Sequence, residues 1–204
     1  MKNLSILSFC FIATFIAGCT GGGEKRVVVV ASGKLTVTDK TIKIEPSLTH
    51  NEQEIILKGD KINLTVQGLP GGDKNFDLTD NGSYLLNLQT DTLIGGIVNY
   101  GTTGMPSFIT AEALDHIIDS TNQLMAGTNT NDAKGPFFLP PSTLKKISAK
   151  GNAKIVGSFK GIPYSVEVDN TGSIPEVYKF FTNKQKRETL NDLIGQRAKI
   201  KENH

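Results

Sequence analysis

The chain has 204 residues, with 22 Lys and Arg against 20 Asp and Glu, three His, two Cys and no Trp. That length allows one domain or two small ones. So few thiols and imidazoles, at no ligand spacing, argue against a zinc centre. Without tryptophan, any sugar-stacking platform has to rely on Tyr and Phe, most of which fall at core-like positions.

Met1-Lys2-Asn3 places one positive charge ahead of the apolar stretch Leu4 to Ile16, and Ala17-Gly18-Cys19 follows. A membrane-spanning helix needs about 20 apolar residues, whereas the hydrophobic region of a secretory signal needs about 7 to 15, so the layout is that of a signal. No later segment is long or apolar enough to span. Ile16-Ala17-Gly18-Cys19 resembles the bacterial lipobox, in which a branched apolar residue and two small residues precede an invariant cysteine. The resemblance implies that residues 1–18 are a signal peptide removed before Cys19, that the Cys19 thiol carries a diacylglyceryl group, and that the new amino terminus is acylated, for example with palmitate. Several chains on one residue make a stable anchor where one chain is marginal. With Cys10 gone and Cys19 a thioether, the mature chain would have no thiol free to form a disulfide. The expected location is the bacterial cell envelope, held to a membrane by lipid, with the body outside the cytoplasm and out of reach of nucleic acid. Thr20 after the cysteine favours the outer membrane in a host with two membranes.

Residues 19–26, the lipidated cysteine and a glycine-rich run, read as a flexible tether. From Val27 to Tyr100 the chain reads as short strands. Leu35 and Val37, an Asp39-Lys40 turn, then Ile42 and Ile44 predict a hairpin, and Ile55 and Leu57, Gly59-Asp60, then Ile62, Leu64 and Val66 repeat the pattern. Asp80-Asn81-Gly82 is a strong turn signal leading into further strands. Residues 27–104 are therefore expected to form a β-sandwich-like domain.

After a Gly/Thr/Pro linker the period changes, and 105–204 reads as an α+β domain. Thr110 is a suitable N-cap for an amphipathic helix over 111–126 that carries Leu114, Ile118 and Met125 on one face. A three-stranded antiparallel meander is expected over 144–149, 153–159 and 162–168, the last from the alternation Ile162, Tyr164, Val166, Val168. Thr182 and Gln185 form a capping box for a C-terminal helix ending near Gly195. The fold class expected is α+β and β-rich.

Signals for chemistry are sparse. Asp73, Asn75 and Asp77 copy the first three ligand positions of a calcium loop, but Leu78 stands where that loop needs Gly and Tyr84 where it needs Glu. Ser142-Thr143-Leu144-Lys145 matches the S-x-x-K of β-lactamases, yet no K-T-G follows. His116 is followed by Asp119 one turn on, with no second histidine at ligand spacing. Phe137, Phe138 and Leu139, between Pro136 and Pro140, are an apolar irregular stretch that either plugs a seam or offers an anchor to an envelope protein partner. Residues 179–204 carry seven basic side chains, Lys179, Lys184, Lys186, Arg187, Arg197, Lys199 and Lys201, against Glu188, Asp192 and Glu202. Such a tail suits anionic lipid or an acidic partner. The reading that follows is a non-catalytic envelope lipoprotein with a binding or structural role. A calcium- or glycan-binding adhesin and an envelope hydrolase are the alternatives.

Overall fold

The structure is a computed structural model, and it describes residues 23–98, 110–128, 134–168 and 172–202. The protein is mixed α+β and strand-rich, with two sheets and two helices. Ten strands occur in the order β1 (Glu24–Thr38), β2 (Thr41–Lys58), β3 (Ile62–Gln67), β4 (Lys74–Leu78), β5 (Gly82–Leu88), β6 (Leu93–Val98), β7 (Phe138–Leu139), β8 (Thr143–Ser148), β9 (Lys154–Val156) and β10 (Val177–Thr182). Helix α1 (Ala111–Met125) follows β6, and α2 (Asn183–Glu202) closes the chain. Sheet A has the order β4-β3-β2-β1-β5-β8, and sheet B the order β7-β6-β10-β9.

Strand β1 explains the run Val27-Val28-Val29-Val30. It lies between antiparallel β2 and parallel β5, with all four valines and Ala31 buried. Val27, Val29 and Ala31 face the core enclosed by sheet A, while Val28 and Val30 face a second core shared with Leu93, Leu139, Tyr178 and Phe180 of sheet B. A strand covered on both faces has no reason to alternate apolar with polar residues, and this one does not.

The first predicted hairpin forms as expected, with Asp39 at a φ of 49° in its turn. Its two strands are long, and they fold over in the middle. Ser32 pairs with His50 and Lys34 with Glu45, so Gly33 alone stands opposite residues 46–49. Gly33 has a φ of 134°, and a Cβ there would stand 2.6 Å from the Glu45 carbonyl oxygen, so only glycine passes this corner without strain. The fold-over carries Thr41–Lys43 beside β3, which pairs with it in parallel. The second expected hairpin, across Gly59-Asp60, is therefore not a hairpin. The same bend brings the tip at 38–41 back across an open cleft of about 800 Å³ from Ile56 and Lys58, so that sheet A is nearly barrel-like.

The expected meander is overturned. β8 pairs with β5, β9 pairs in parallel with β10, and residues 162–168 join neither sheet. Alternation permits a strand but does not choose its partner, and here Ile162, Tyr164 and Val168 stay exposed, with no sheet edge to cover them. Strands from both sides of residue 104 pair within each sheet, β5 with β8 and β6 with β7 and β10. Residues 24–26, expected in the tether, are the start of β1.

Both helices form where expected. The Thr110 hydroxyl accepts the Ala113 N–H at 3.2 Å, and Leu114 and Ile118 are the buried residues of α1. Thr182 and Gln185 exchange both bonds of the capping box, at 3.2 and 2.9 Å. Helix α2 runs through Gly195 to Glu202 because the backbone at Gly195 does not turn left-handed and so provides no stop.

Candidate functional site

The polar residues that do not sit in water gather at the two ends of sheet A. At the end where β1 and β5 begin, here the floor, Lys25 is 0% exposed. It alternates with Val27 and Val29 and so points inward, where its ammonium donates to the Gly59 carbonyl at 2.5 Å and to Asn81 Oδ1 at 3.3 Å. The Gly59 N–H donates to the Gly23 carbonyl at 3.3 Å. Beside them Tyr84 donates its hydroxyl to the Asp80 carbonyl, and burial pushes the phenol above its ordinary pKa.

Between the sheets at the same end, Glu176 collects three donors. The hydroxyls of Tyr178 and Ser148 each reach Oε2 at 2.7 Å, and the Lys150 ammonium reaches Oε1 at 2.9 Å. These bonds, Tyr178 first, lower the carboxyl from 4.5 to about 2. A carboxylate so strongly held is a poor general base, and Ser148, whose proton points at it, is not an activated nucleophile. Burial and the neighbouring carboxylate raise the pKa of Tyr178, which stays protonated. Because the folded pKa lies below the unfolded one, the network adds stability above about pH 4.5 and loses it as pH falls toward about 2. Glu176→Gln is expected to cost on the order of 2 kcal/mol at neutral pH, with the gap from wild type shrinking through that window. Urea unfolding at a series of pH values checks this, and a gap independent of pH would contradict it.

The opposite end holds a second cluster. Glu52, whose side chain is 3% exposed, accepts the Gly157 N–H at 2.9 Å through Oε1, with the Lys160 ammonium at 3.8 Å. Its Oε2 is buried with no hydrogen-bond partner among the described residues. The Lys179 ammonium donates to the carbonyls of Gly157 and Lys160 and sits 4.9 Å from the centre of the Phe181 ring. Burial pushes Lys179 below its ordinary pKa, and the Glu52 charge partly offsets that. Ser158, in the same turn, is tied to Gln89 and Gln185. His50 stacks on Phe159 with ring centres 3.9 Å apart. The lysine thus acts as an internal cation around which the 157–160 turn is wrapped, so its donors serve the fold.

The calcium candidates do not converge. Asn75 and Asp77 lie on β4 and Asp73 immediately precedes it, and alternate residues of a strand stand about 6.6 Å apart. Each is already engaged, Asp73 by the Gly68 N–H, Asn75 by the Thr65 hydroxyl and Asp77 by the Asn63 amide. No group of three or more His, Cys, Asp and Glu placed to hold a metal occurs among the described residues. Leu139 is 0% exposed and paired with Leu93, so it cannot project as an anchor. Phe137 packs into the core between the sheets, and the Phe138 ring lies against Gly127, so this stretch seats in the seam. Ser142 is in a turn with a φ of 54°, and Lys145 donates to the Gly135 carbonyl at 2.6 Å, its pKa lowered by burial. His116 and Asp119 are both exposed on α1.

The basic tail is less free than its composition suggests. Lys179 is buried, Lys186 lies 4.7 Å from the centre of the Phe181 ring, and Arg197 pairs with Asp115. Cys19 lies outside the described residues. Lys25, Glu52 and Glu176 were not singled out from sequence, and Lys179 was read only as part of the basic tail. For Lys179 the signal was present, since it sits between Val177-Tyr178 and Phe180-Phe181, where a charge is costly unless bonded, whereas Lys25 stands in the polar run Glu24-Lys25-Arg26 and gave no such signal. No family model, curated protein or solved structure matches the chain, so its function has to be argued from its own residues.

Proposed function

We propose that this protein is a bacterial envelope lipoprotein, anchored to a membrane through lipid on Cys19, whose body has a non-catalytic binding or structural role. The observation that carries the reading is the position of β1. It begins at Glu24, five residues beyond the lipobox cysteine, so cleavage before Cys19 would leave every described strand and helix intact. Among the described residues no helix is long and apolar enough to cross a membrane, so lipid is the anchor the sequence offers. The Glu176 carboxylate is held by two hydroxyls and an amine, and the Lys25 and Lys179 ammonium groups are taken up by backbone carbonyls, which suits a scaffold better than a reaction centre. The finer architecture is proposed as sandwich-like, with the folded sheet A presenting one outer face to sheet B.

An adhesin binding glycans is a second reading, favoured by the fully exposed Tyr164 and the partly exposed Phe159. The anchor is tested by Cys19→Ala with a labelled fatty acid fed to producing cells. Wild type should take up label and sediment with membranes, and the variant should do neither. A labelled Cys19→Ala protein would overturn the assignment.

A further inference from the structure

The described chain begins at Gly23, already fixed to the floor of sheet A. The Gly59 N–H holds its carbonyl at 3.3 Å, and an ideal Cβ at Gly23 would lie 1.8 Å from the Asn81 amide, so the two are in close contact. Two residues on, the buried Lys25 ammonium bonds both Gly59 and Asn81. Cys19 therefore stands four residues from a fixed point, which even a fully extended chain places no more than about 14 Å away. Along β1 the rise is about 3.3 Å per residue, so Ser32, where the β1–β2 ribbon folds over, lies about 26 Å from Glu24. The floor is within reach of an anchored Cys19, and the fold-over end is not.

We propose that the floor, comprising the turns at 59–61 and 79–82 with Lys58, is the surface that rests on phospholipid headgroups. The bulge at 46–49 and the His50–Phe159 stack then face away from the membrane. This orientation rests on the lipid anchor proposed above. Charge agrees with it. Lys58 and Lys61 are exposed, and no ion pair among the described residues involves them; of the two carboxylates in the same turns, Asp80 is taken up by Lys146 at 3.5 Å, and the exposed Asp60 offsets one of the two ammonium charges. Two ammonium groups against one carboxylate thus remain for headgroup phosphates beside the point where the tether arrives. Leu48, at the opposite end, is 98% exposed and offers a site that can be labelled without disturbing the core.

The test uses the full-length protein purified from producing cells, with the mass of its N-terminal peptide read first. Lys61→Cys and Leu48→Cys each introduce a thiol for a fluorophore, since a lipidated Cys19 cannot react. The labelled proteins are placed in phosphatidylethanolamine–phosphatidylglycerol vesicles containing a lipid with a nitroxide on its headgroup. The expected result is quenching at position 61 at least threefold stronger than at position 48. Equal quenching, or stronger quenching at position 48, in acylated protein overturns the orientation and leaves the anchor standing. An unacylated Cys19 overturns both.

Discussion

Phe180→Ala should be among the most destabilising single substitutions in the body, at about 3 to 5 kcal/mol. Phe180 is 0% exposed and stands at the centre of the core between the two sheets, in contact with the apolar set that includes Val28, Val30, Leu85 and Leu139. Directly across the β6–β10 ladder its partner is Gly95, and the ring occupies the space of the missing side chain. A Cβ on Gly95 would fall 2.4 Å from the ring, closer than real contacts allow. Gly95→Ala alone should therefore cost about 1 to 3 kcal/mol through overpacking. The two changes should not add. With the ring removed, the new methyl meets open space, so the double variant should be more stable than the sum of the single losses predicts, by about 1 kcal/mol or more. Urea midpoints of the four proteins give the coupling directly, and simple additivity would show that ring and glycine do not share that space.

Asn87→Ala should cost about 3 kcal/mol, a large loss for a polar residue. Asn87 is 0% exposed, and its amide nitrogen donates to the carbonyls of Asp91 at 2.9 Å, Leu139 at 3.0 Å and Pro140 at 3.2 Å. Its oxygen accepts the Gln89 N–H at 3.0 Å. One side chain therefore shapes the β5–β6 turn and fastens the segment after β7 to sheet A. Truncation leaves several buried backbone groups without partners, each a desolvation penalty that no compensating contact offsets. Asn87→Asp sharpens the test, because it keeps the acceptor for Gln89 but turns a carboxylate toward three carbonyl oxygens. It should be at least as destabilising as alanine at neutral pH. Thermal unfolding of both variants checks this, and an Asp variant as stable as wild type would mean the amide is oriented the other way.

How much of this could be read from sequence depended on whether the cause was local. The caps at Thr110 and at Thr182–Gln185 act within one turn of helix, and both formed as spaced. The Asp39-Lys40 turn is likewise local. Pairing was not. Ile162, Tyr164, Val166 and Val168 alternate as a strand should, yet residues 162–168 stay outside both sheets, while Lys154–Val156 finds its partner in β10, more than twenty residues further on. The corner at Gly33 was also hidden, since it required both the glycine and the four residues 46–49 across the ladder. The spacing of the calcium pattern carries the same lesson. Its oxygens have the right order, but an extended chain spreads them along the edge of sheet A instead of curling them around an ion. The buried polar groups fared worst, because Glu52 lies in a polar stretch and its burial comes from the Gly157–Lys160 turn over one hundred residues away.

The lipid on Cys19 is the claim from which the proposed location and orientation of the body follow. Mass spectrometry of the N-terminal peptide from protein extracted out of its native membrane tests it most directly. The expected result is a chain that starts at Cys19 and carries the mass of a diacylglyceryl thioether together with an N-linked acyl chain. A peptide that starts elsewhere, or an unmodified Cys19 thiol, would contradict it.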